Sequence, residues 1–487
     1  MSAEATNTAP WPRRLADAAP VLAGLLALVT GAYLVQAASG WLVPPAPSSL
    51  QGALGDTFAA TPQVVGRTTT AFGFLLVAAW LAGRVAKALG LPRISGYLVI
   101  GLLTGPHFAE VVHITPLVGK EELEQLRLIE GLAVSMIAFT AGAEIKLDFV
   151  RRQARTILRI VAGEFLGVTP AVLLALVALM ALAPLPEALQ STTLGTRLYL
   201  ALAVAVLAVA AAPAVTLALL RETGARGTFP QLALASTVLK DVLLVVLFSA
   251  LLATGMAIIG PPGDYAGDYQ ASPVLVTVKI GLHLVSSLLF GGVVALVLWA
   301  LGRFLSMRIE LFMVLVCFGI AVVSREVGAD PLLVALSAGL ILTNIGSSKA
   351  MPRLLASIDG LLLPVYCVFF AVSGAKLHLD ALAAVWPAML LVVVVRLLSK
   401  RVAVTRACRR AGVPEPTASW LWTATMPQAG VTLAMAIQFE RTFAGQEWTP
   451  LLSGLLLAVV ACNELIGPPL MKLGIQRTAE DPQASTP

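Results

Sequence analysis

The chain has 487 residues, of which 58% are hydrophobic and only 12% charged. A water-soluble chain carries roughly twice that charged fraction, so a soluble globular protein is excluded, and no nucleophile–base arrangement or phosphate loop points to an enzyme. Four cysteines, Cys317, Cys367, Cys408 and Cys462, lie in or beside apolar runs and give neither a disulfide framework nor a zinc spacing.

A bilayer core of about 30 Å takes roughly 20 apolar residues per helix. Fourteen candidate spans follow in chain order: 20–42, 69–88, 92–107, 127–144, 155–183, 195–220, 229–255, 273–303, 308–327, 331–346, 354–375, 380–403, 416–438 and 449–473. The runs are long and rich in Leu, Ala and Val without strict alternation, which predicts helices rather than strands. The first run lacks a small-residue cleavage site and is read as a retained helix. The expected fold class is therefore an all-α polytopic integral membrane protein embedded in a lipid bilayer.

Basic residues set the orientation. With both termini in the cytoplasm, 23 of the 33 basic residues are cytoplasmic. They include the clusters Arg84, Lys87 and Arg93; Arg151, Arg152 and Arg155; and Lys400, Arg401, Arg406, Arg409 and Arg410. The opposite side holds Arg67, Lys120, Arg127, Arg197, Arg325, Lys376 and Arg441. This distribution accounts for the net charge of +6 without a nucleic-acid partner.

Three pairs of segments read alike in the same order. Gly101-Leu-Leu-Thr104 matches Gly339-Leu-Ile-Leu-Thr343, at an offset of 238. Gly142-Ala-Glu-Ile-Lys-Leu-Asp148 matches Gly374-Ala-Lys-Leu-His-Leu-Asp380, at an offset of 232. Val215-Thr-Leu-Ala218 matches Val431-Thr-Leu-Ala434, at an offset of 216. The pattern predicts two six-helix repeats, spans 2–7 and 9–14, joined by span 8. Equivalent helices are then seven spans apart, so the halves have inverted topology, as in many secondary transporters. The fifth helix of each half carries a breaker: Pro213 and Thr216 in one, Pro427, Gln428 and Thr432 in the other. Proline removes a backbone donor. Irregular backbone at membrane depth must line protein or a water-filled cavity, and paired interruptions point to a transport site. A pair of ordinary proline kinks is the alternative reading.

Charges at membrane depth are costly and mark function. Asp241, in the middle of span 7, is the leading candidate for an ion- or proton-binding group, because a desolvated carboxylate at the end of a cavity binds a cation or a proton in competition. Lys240 is its neighbour in sequence but points about 100° away around the helix. It is expected to reach carbonyls freed by a broken helix, or a second acid. Arg396 lies deep in span 12 and suits charge balance and anchoring. Lys400, nearer the helix end, is expected to snorkel to the cytoplasmic surface. Glu464 holds the place in the second half that Asp241 holds in the first, and is a candidate partner for Lys240 or Arg396. Glu164, Lys279 and His283 are weaker candidates, read as interhelical or snorkelling groups.

These residues together resemble the monovalent cation:proton antiporters, in particular the Kef-type and NapA-type sodium/hydrogen exchanger domain. The resemblance covers roughly residues 69–475. It rests on Ile94-Ser-Gly-Tyr-Leu-Val-Ile-Gly-Leu-Leu-Thr-Gly-Pro106, Ala212-Pro-Ala-Val-Thr-Leu-Ala-Leu-Leu-Arg-Glu222, Lys240-Asp241, Phe369-Phe-Ala-Val-Ser-Gly-Ala-Lys-Leu377 and Met426-Pro-Gln-Ala-Gly430. It implies about 13 family helices plus one extra N-terminal helix, with two crossed broken helices at Pro213 and Pro427. It also implies a scaffold and dimer domain (69–107 and 308–346), a mobile core (127–255 and 354–475), a connector helix (273–303), an N-terminal tail, helix and loop (1–68) and a cytoplasmic tail (476–487). The family's ion-binding aspartate maps onto Asp241 and its buried basic residue onto Arg396. Lys240 departs from the family pattern, which places Asp, Asn or a similar polar residue there. The implied function is exchange of a monovalent cation, Na+ or K+, for protons by alternating access. It is carried out by a homodimer in a bacterial inner membrane, serves pH homeostasis and needs no cofactor. Two alternatives stay open on the residues alone: a sodium-coupled organic-anion symporter, with Lys240 and Arg396 attracting a carboxylate, and a non-transporting membrane sensor.

Overall fold

Backbone N–H and C=O groups in hydrocarbon find partners only within their own segment, so these apolar runs fold as helices. The computed structural model describes residues 11–42, 62–259, 273–301, 309–326, 329, 331–345, 351–377, 382–428 and 430–479, and no strand occurs among them. The helices are α1 Trp11–Leu42, α2 Pro62–Ala88, α3 Arg93–Thr104, α4 Pro106–Val112, α5 Lys120–Gln125, α6 Arg127–Glu144, α7 Leu147–Leu182, α8 Glu187–Gln190, α9 Leu194–Leu207, α10 Pro213–Thr223, α11 Thr228–Ile259, α12 Pro273–Leu301, α13 Ile309–Glu326, α14 Pro331–Ile345, α15 Met351–Ala375, α16 Leu382–Arg410, α17 Thr417–Trp420, α18 Gly430–Thr442 and α19 Thr449–Ala479. A 3₁₀ segment, Leu421–Thr425, follows α17 directly. The side chains of Lys279 and His283, the residues 378–380 that end the second repeat segment, and the tail beyond Ala479 lie outside the described residues.

The expected spans and the observed helices coincide, with two systematic differences. Several helices run past the apolar stretch: α7 begins at Leu147 and α16 continues to Arg410, because charged residues in water are good helix formers. The 92–107 run is divided, since Pro106 opens a new helix after Gly105 takes an extended conformation.

The chain forms two compact units. The first comprises residues up to Ala133 with Leu363–Asp380. Here α1 packs on α2 and α2 on α3. The α2–α3 crossing is close because Gly96 lies on the backbone of Ala82 and Gly83 lies under the ring of Tyr97. α3 also crosses the end of α15: Gly101 touches the Ala371 carbonyl, and Gly374 touches the Leu98 carbonyl. No Cβ fits at either glycine.

The second unit holds Val134–Leu362 and Ala381–Pro487. Its largest helix pairing is α7 against α16. A Cβ on Gly163 would stand 2.8 Å from Ala407 Cβ, and one on Gly167 would stand 2.5 Å from Ala403 Cβ. Glycines four residues apart on one helix face thus bring the two axes together, as small residues do between membrane helices. α14 crosses α6 in the same close manner, with Gly339 on the Phe139 carbonyl and Gly142 on the Leu336 carbonyl.

The outward faces are apolar. α7 exposes Leu158, Leu166, Leu174 and Leu182, and α16 exposes Trp386, Leu390, Val394, Leu398 and Val402. Stripes of this length are not tolerated on a protein in water. Among the described residues, four helices are long and apolar enough to cross a bilayer, within Arg67–Ala88, Leu147–Leu182, Thr228–Met256 and Thr449–Thr478. The protein is an integral membrane protein.

Candidate functional site

The second unit contains two interrupted helices. α9 ends at Leu207 and α10 begins at Pro213, with Ala212 extended (φ −106°, ψ 106°) between them. A residue before proline is disfavoured in the helical conformation, and Pro213 cannot donate to the preceding turn. The 3₁₀ segment Leu421–Thr425 ends before Pro427, and α18 resumes at Gly430. The two breaks meet. Ala212 N–H donates to the Pro427 carbonyl at 2.9 Å, Gln428 Nε2 donates to the Leu207 carbonyl at 3.1 Å, and the Thr216 hydroxyl donates to the Ala424 carbonyl at 3.4 Å. Thr432 is buried on the first turn of α18.

Helix ends leave carbonyls without intrahelical partners and carry partial negative charge. In hydrocarbon these cannot be left to water. Two cations from α16 take them. Arg396 Nε donates to Ala208 O at 2.7 Å, one Nη to Ala210 O at 2.9 Å, and the other to Met426 O at 3.0 Å. Lys400 Nζ donates to Val209 O at 3.0 Å, to Ala210 O at 3.1 Å and to Thr425 O. Asn463 of α19 accepts from Arg396 at 2.7 Å and donates to Gln428 Oε1 at 3.0 Å, which fixes both side chains. α19 reaches this depth because Gly467 lies on Pro427, where a Cβ would come within 2.5 Å of its Cα.

Lys400 does not snorkel. It is fully buried, because the nearby carbonyls and a carboxylate offer its ammonium more than the interface does. That carboxylate is Glu164 of α7. Its Oε1 lies 2.9 Å from Lys400 Nζ, and both its oxygens lie 2.9 Å from Lys240 Nζ. Lys240 has thus found a second acid, and Glu164 is a member of the site that its sequence context hardly advertises. The available signal was a lone acid in an apolar run, flanked by glycines at the spacing of a close helix crossing.

Asp241 is 4% exposed on α11, which packs against α10, the 3₁₀ segment and α18. One turn before it, Thr237 is buried, with its hydroxyl turned back on the Ala233 carbonyl. Glu464 is 1% exposed, and its Oε1 has no hydrogen-bond partner among the described residues. It pairs with neither Lys240 nor Arg396, whose bonds go to Glu164 and to Asn463 and the break carbonyls. Among the described residues, the buried carboxylates are Glu164, Asp241 and Glu464, and the buried lysines and arginine are Lys240, Lys400 and Arg396.

A cavity of about 830 Å³ opens between α6, α7, α10 and α11. Its lining includes Glu144, Lys146, Arg221, Arg226, Leu234 and Ala235, and a Glu144–Arg221 ion pair at 2.6 Å stands in it. Ala235 precedes Asp241 by six residues on α11, about 9 Å along the axis at 1.5 Å per residue.

Comparison with known proteins gives this arrangement its context. A search among curated proteins returns no significant match. Among solved structures, the chain is similar to the sodium proton antiporter MjNhaP1 from Methanocaldococcus jannaschii at pH 8, with 15% identity and a TM-score of 0.60 over 86% of this chain and 100% of that one. An electron-microscopy structure of the same antiporter matches at 14% identity and a TM-score of 0.63, covering 86% and 99%. At such identities the likeness is one of fold. The family model described as "Sodium/hydrogen exchanger, transmembrane" matches residues 73–473, most of the sequence. The chain belongs to the sodium/hydrogen exchanger family.

Proposed function

We propose that this exchanger binds its monovalent cation and its proton in competition at Asp241. The observation that carries the reading is the position of one buried carboxylate on a helix packed against both broken helices. Cation:proton exchange is the family's function, and a single acid that accepts either a proton or a cation performs it without further chemistry. The carbonyl-rich breaks beside α11 are held by Arg396 and Lys400, so the polar backbone persists at membrane depth. The cavity beside Glu144 and Arg221 is the access route, from the cytoplasmic side in the orientation set by the basic residues. The organic-anion alternative loses its motive here. The cations that would attract a carboxylate are already bonded to Glu164, Asn463 and backbone carbonyls.

The inverted six-helix repeat also belongs to this proposal. Its support is a doubled contact. Gly101 on Ala371 and Gly374 on Leu98 in one unit correspond, at offsets of 238 and 232, to Gly339 on Phe139 and Gly142 on Leu336 in the other. The scaffold (69–107 and 308–346), the mobile core (127–255 and 354–475), the homodimer and the placement in a bacterial inner membrane with cytoplasmic termini complete the reading. The test is proton flux in proteoliposomes against a panel of Na+, K+ and Li+. Alkalinisation or acidification on addition of one of these cations supports exchange. Absence of flux with all of them, in folded protein, overturns it.

A further inference from the structure

The cavity between α6, α7, α10 and α11 carries the wrong charge for a simple cation route. Its lining holds Lys146, Arg221 and Arg226 against one carboxylate, Glu144, an excess of two positive charges. A field of that sign repels an approaching cation and gathers anions. Arg221 is held by Glu144 at 2.6 Å. Lys146 and Arg226 are exposed, and their side chains make no hydrogen bond or ion pair among the described residues. The bias of basic residues to one side of a membrane explains charge on an outer surface, but not the convergence of three on one concavity. The first turns of α7 and α11, helices of 36 and 32 residues, open on the same space through Phe149 and Val150 and through Pro230 and Gln231. Lys146 gives α7 no side-chain cap, and Gly227, which precedes α11, has no side chain to give. Uncapped N-termini add N–H donors and positive partial charge. The Thr343 hydroxyl also lines the cavity and has no hydrogen-bond partner among the described residues. The turn that carries Lys146 is braced: Asn344 accepts from Leu147 N–H at 2.9 Å and donates to the Ile145 carbonyl at 3.0 Å. A volume of about 830 Å³ is that of a small-molecule site.

We propose that this cavity binds a dianionic phosphate group, carried by a soluble phosphorylated molecule or by a lipid headgroup, with Lys146 and Arg226 as its ligands. A terminal phosphate carries about 1.5 to 2 negative charges at neutral pH, which matches the excess in the lining, whereas a single carboxylate leaves half of it uncancelled. The Arg226 guanidinium offers phosphate oxygens a planar fork, and the Lys146 ammonium adds a point charge. The effect on exchange rests on the cavity being the access route, as proposed above. A bound dianion cancels the charge of the lining, and a cation then enters from this side more readily.

The experiment titrates inorganic pyrophosphate into the full chain held in phosphatidylcholine nanodiscs and reads its Kd. Three proteins are compared: wild type, Lys146→Gln/Arg226→Gln and Arg406→Gln/Arg410→Gln. The last pair lies exposed near the end of α16, outside the cavity lining, and removes the same charge. Wild type should bind, and Lys146→Gln/Arg226→Gln should raise Kd about tenfold or more, as loss of charge-assisted bonds does. Arg406→Gln/Arg410→Gln should stay within about threefold of wild type. No binding to folded wild type overturns the proposal, as does an equal loss in both pairs, which is the mark of a merely basic surface. Should Lys146→Gln/Arg226→Gln not fold, Arg226→Gln alone decides by the same comparison. Nanodiscs doped with phosphatidic acid separate the sources. Pyrophosphate binding retained there assigns the site to a soluble anion, and binding lost there assigns it to the headgroup. Uptake of labelled cation into proteoliposomes is then measured with pyrophosphate on the cavity side. KM should fall about threefold in wild type and not respond in Lys146→Gln/Arg226→Gln, where the charge is already gone. Binding without any change in KM leaves the site standing and defeats the access-route reading instead.

Discussion

At the scale of the residue, Asp241 and Arg396 are two buried charges with different duties. On the proposed reading, Asp241→Asn removes the carboxylate that accepts either a proton or a cation while keeping the side chain's shape. Proteoliposomes with this variant should show flux lower by about two orders of magnitude at unchanged melting temperature, since a neutral amide cannot replace an ionised ligand at membrane depth. Arg396 holds Ala208, Ala210 and Met426 carbonyls together with Asn463. Arg396→Ala leaves several buried acceptors bare, each costing about 1–3 kcal/mol. Its melting temperature should fall sharply, and Arg396→Lys should restore part of the loss, because lysine supplies charge without the planar fork. Full thermal stability in Arg396→Ala would show that the carbonyls find other partners. Asp241, Arg396 and the proline breaks are legible in the sequence because acids, bases and prolines are rare in apolar runs. Glu164 and Lys400 are equally rare, yet their importance is not legible. Glu164 meets Lys240 across 76 residues of chain, and which buried charge meets which depends on how helices cross, not on any local pattern.

At the scale of the element, proline alone does not decide where a helix breaks. Pro170, Pro364, Pro387, Pro468 and Pro469 all remain inside helices, while Pro213 and Pro427 stand at interruptions. The difference is the supply of partners. Breaks persist where Arg396, Lys400 and Gln428 take the freed carbonyls. Elsewhere the helix keeps its own bonds and tolerates a single missing donor. The sequence displays the prolines but not the partners, so the pairing at corresponding positions was the useful signal. The α7–α16 crossing yields a further prediction. Gly163→Leu forces a large side chain into a contact where even a Cβ stands 2.8 Å from Ala407. Overpacking of this kind costs about 1–3 kcal/mol or more, so the variant should melt earlier and lose flux, with Gly163→Ala intermediate. A thermal scan of both purified variants is the check.

At the scale of the whole molecule, the asymmetry of basic residues predicts an orientation that labelling can read. Cys317, Cys367 and Cys408 are buried and Cys462 is partly buried, so Cys462→Ser serves as the background for labelling. Arg152→Cys should react with an impermeant thiol reagent from the cytoplasmic side, and Lys120→Cys from the other. The opposite pattern would invert the assignment. The proposed exchange at one carboxylate has a related outcome. If Asp241 exchanges one proton for one monovalent cation and no other buried group titrates, the cycle carries no net charge. Each uncompensated charge would couple to the field by about 2.3 kcal/mol per 100 mV, so flux measured at two clamped potentials should be equal. A potential-dependent rate would mean that a second group titrates during the cycle. The grip of Arg396 and Lys400 on carbonyls of both interruptions reaches further still. Both cations stand on one helix, so on the proposed reading that helix and the crossing move as a single carriage, and the ion is ferried with its seat rather than handed between separate seats. Disulfide tethers engineered between α16 and residues 208–210 should therefore leave turnover running.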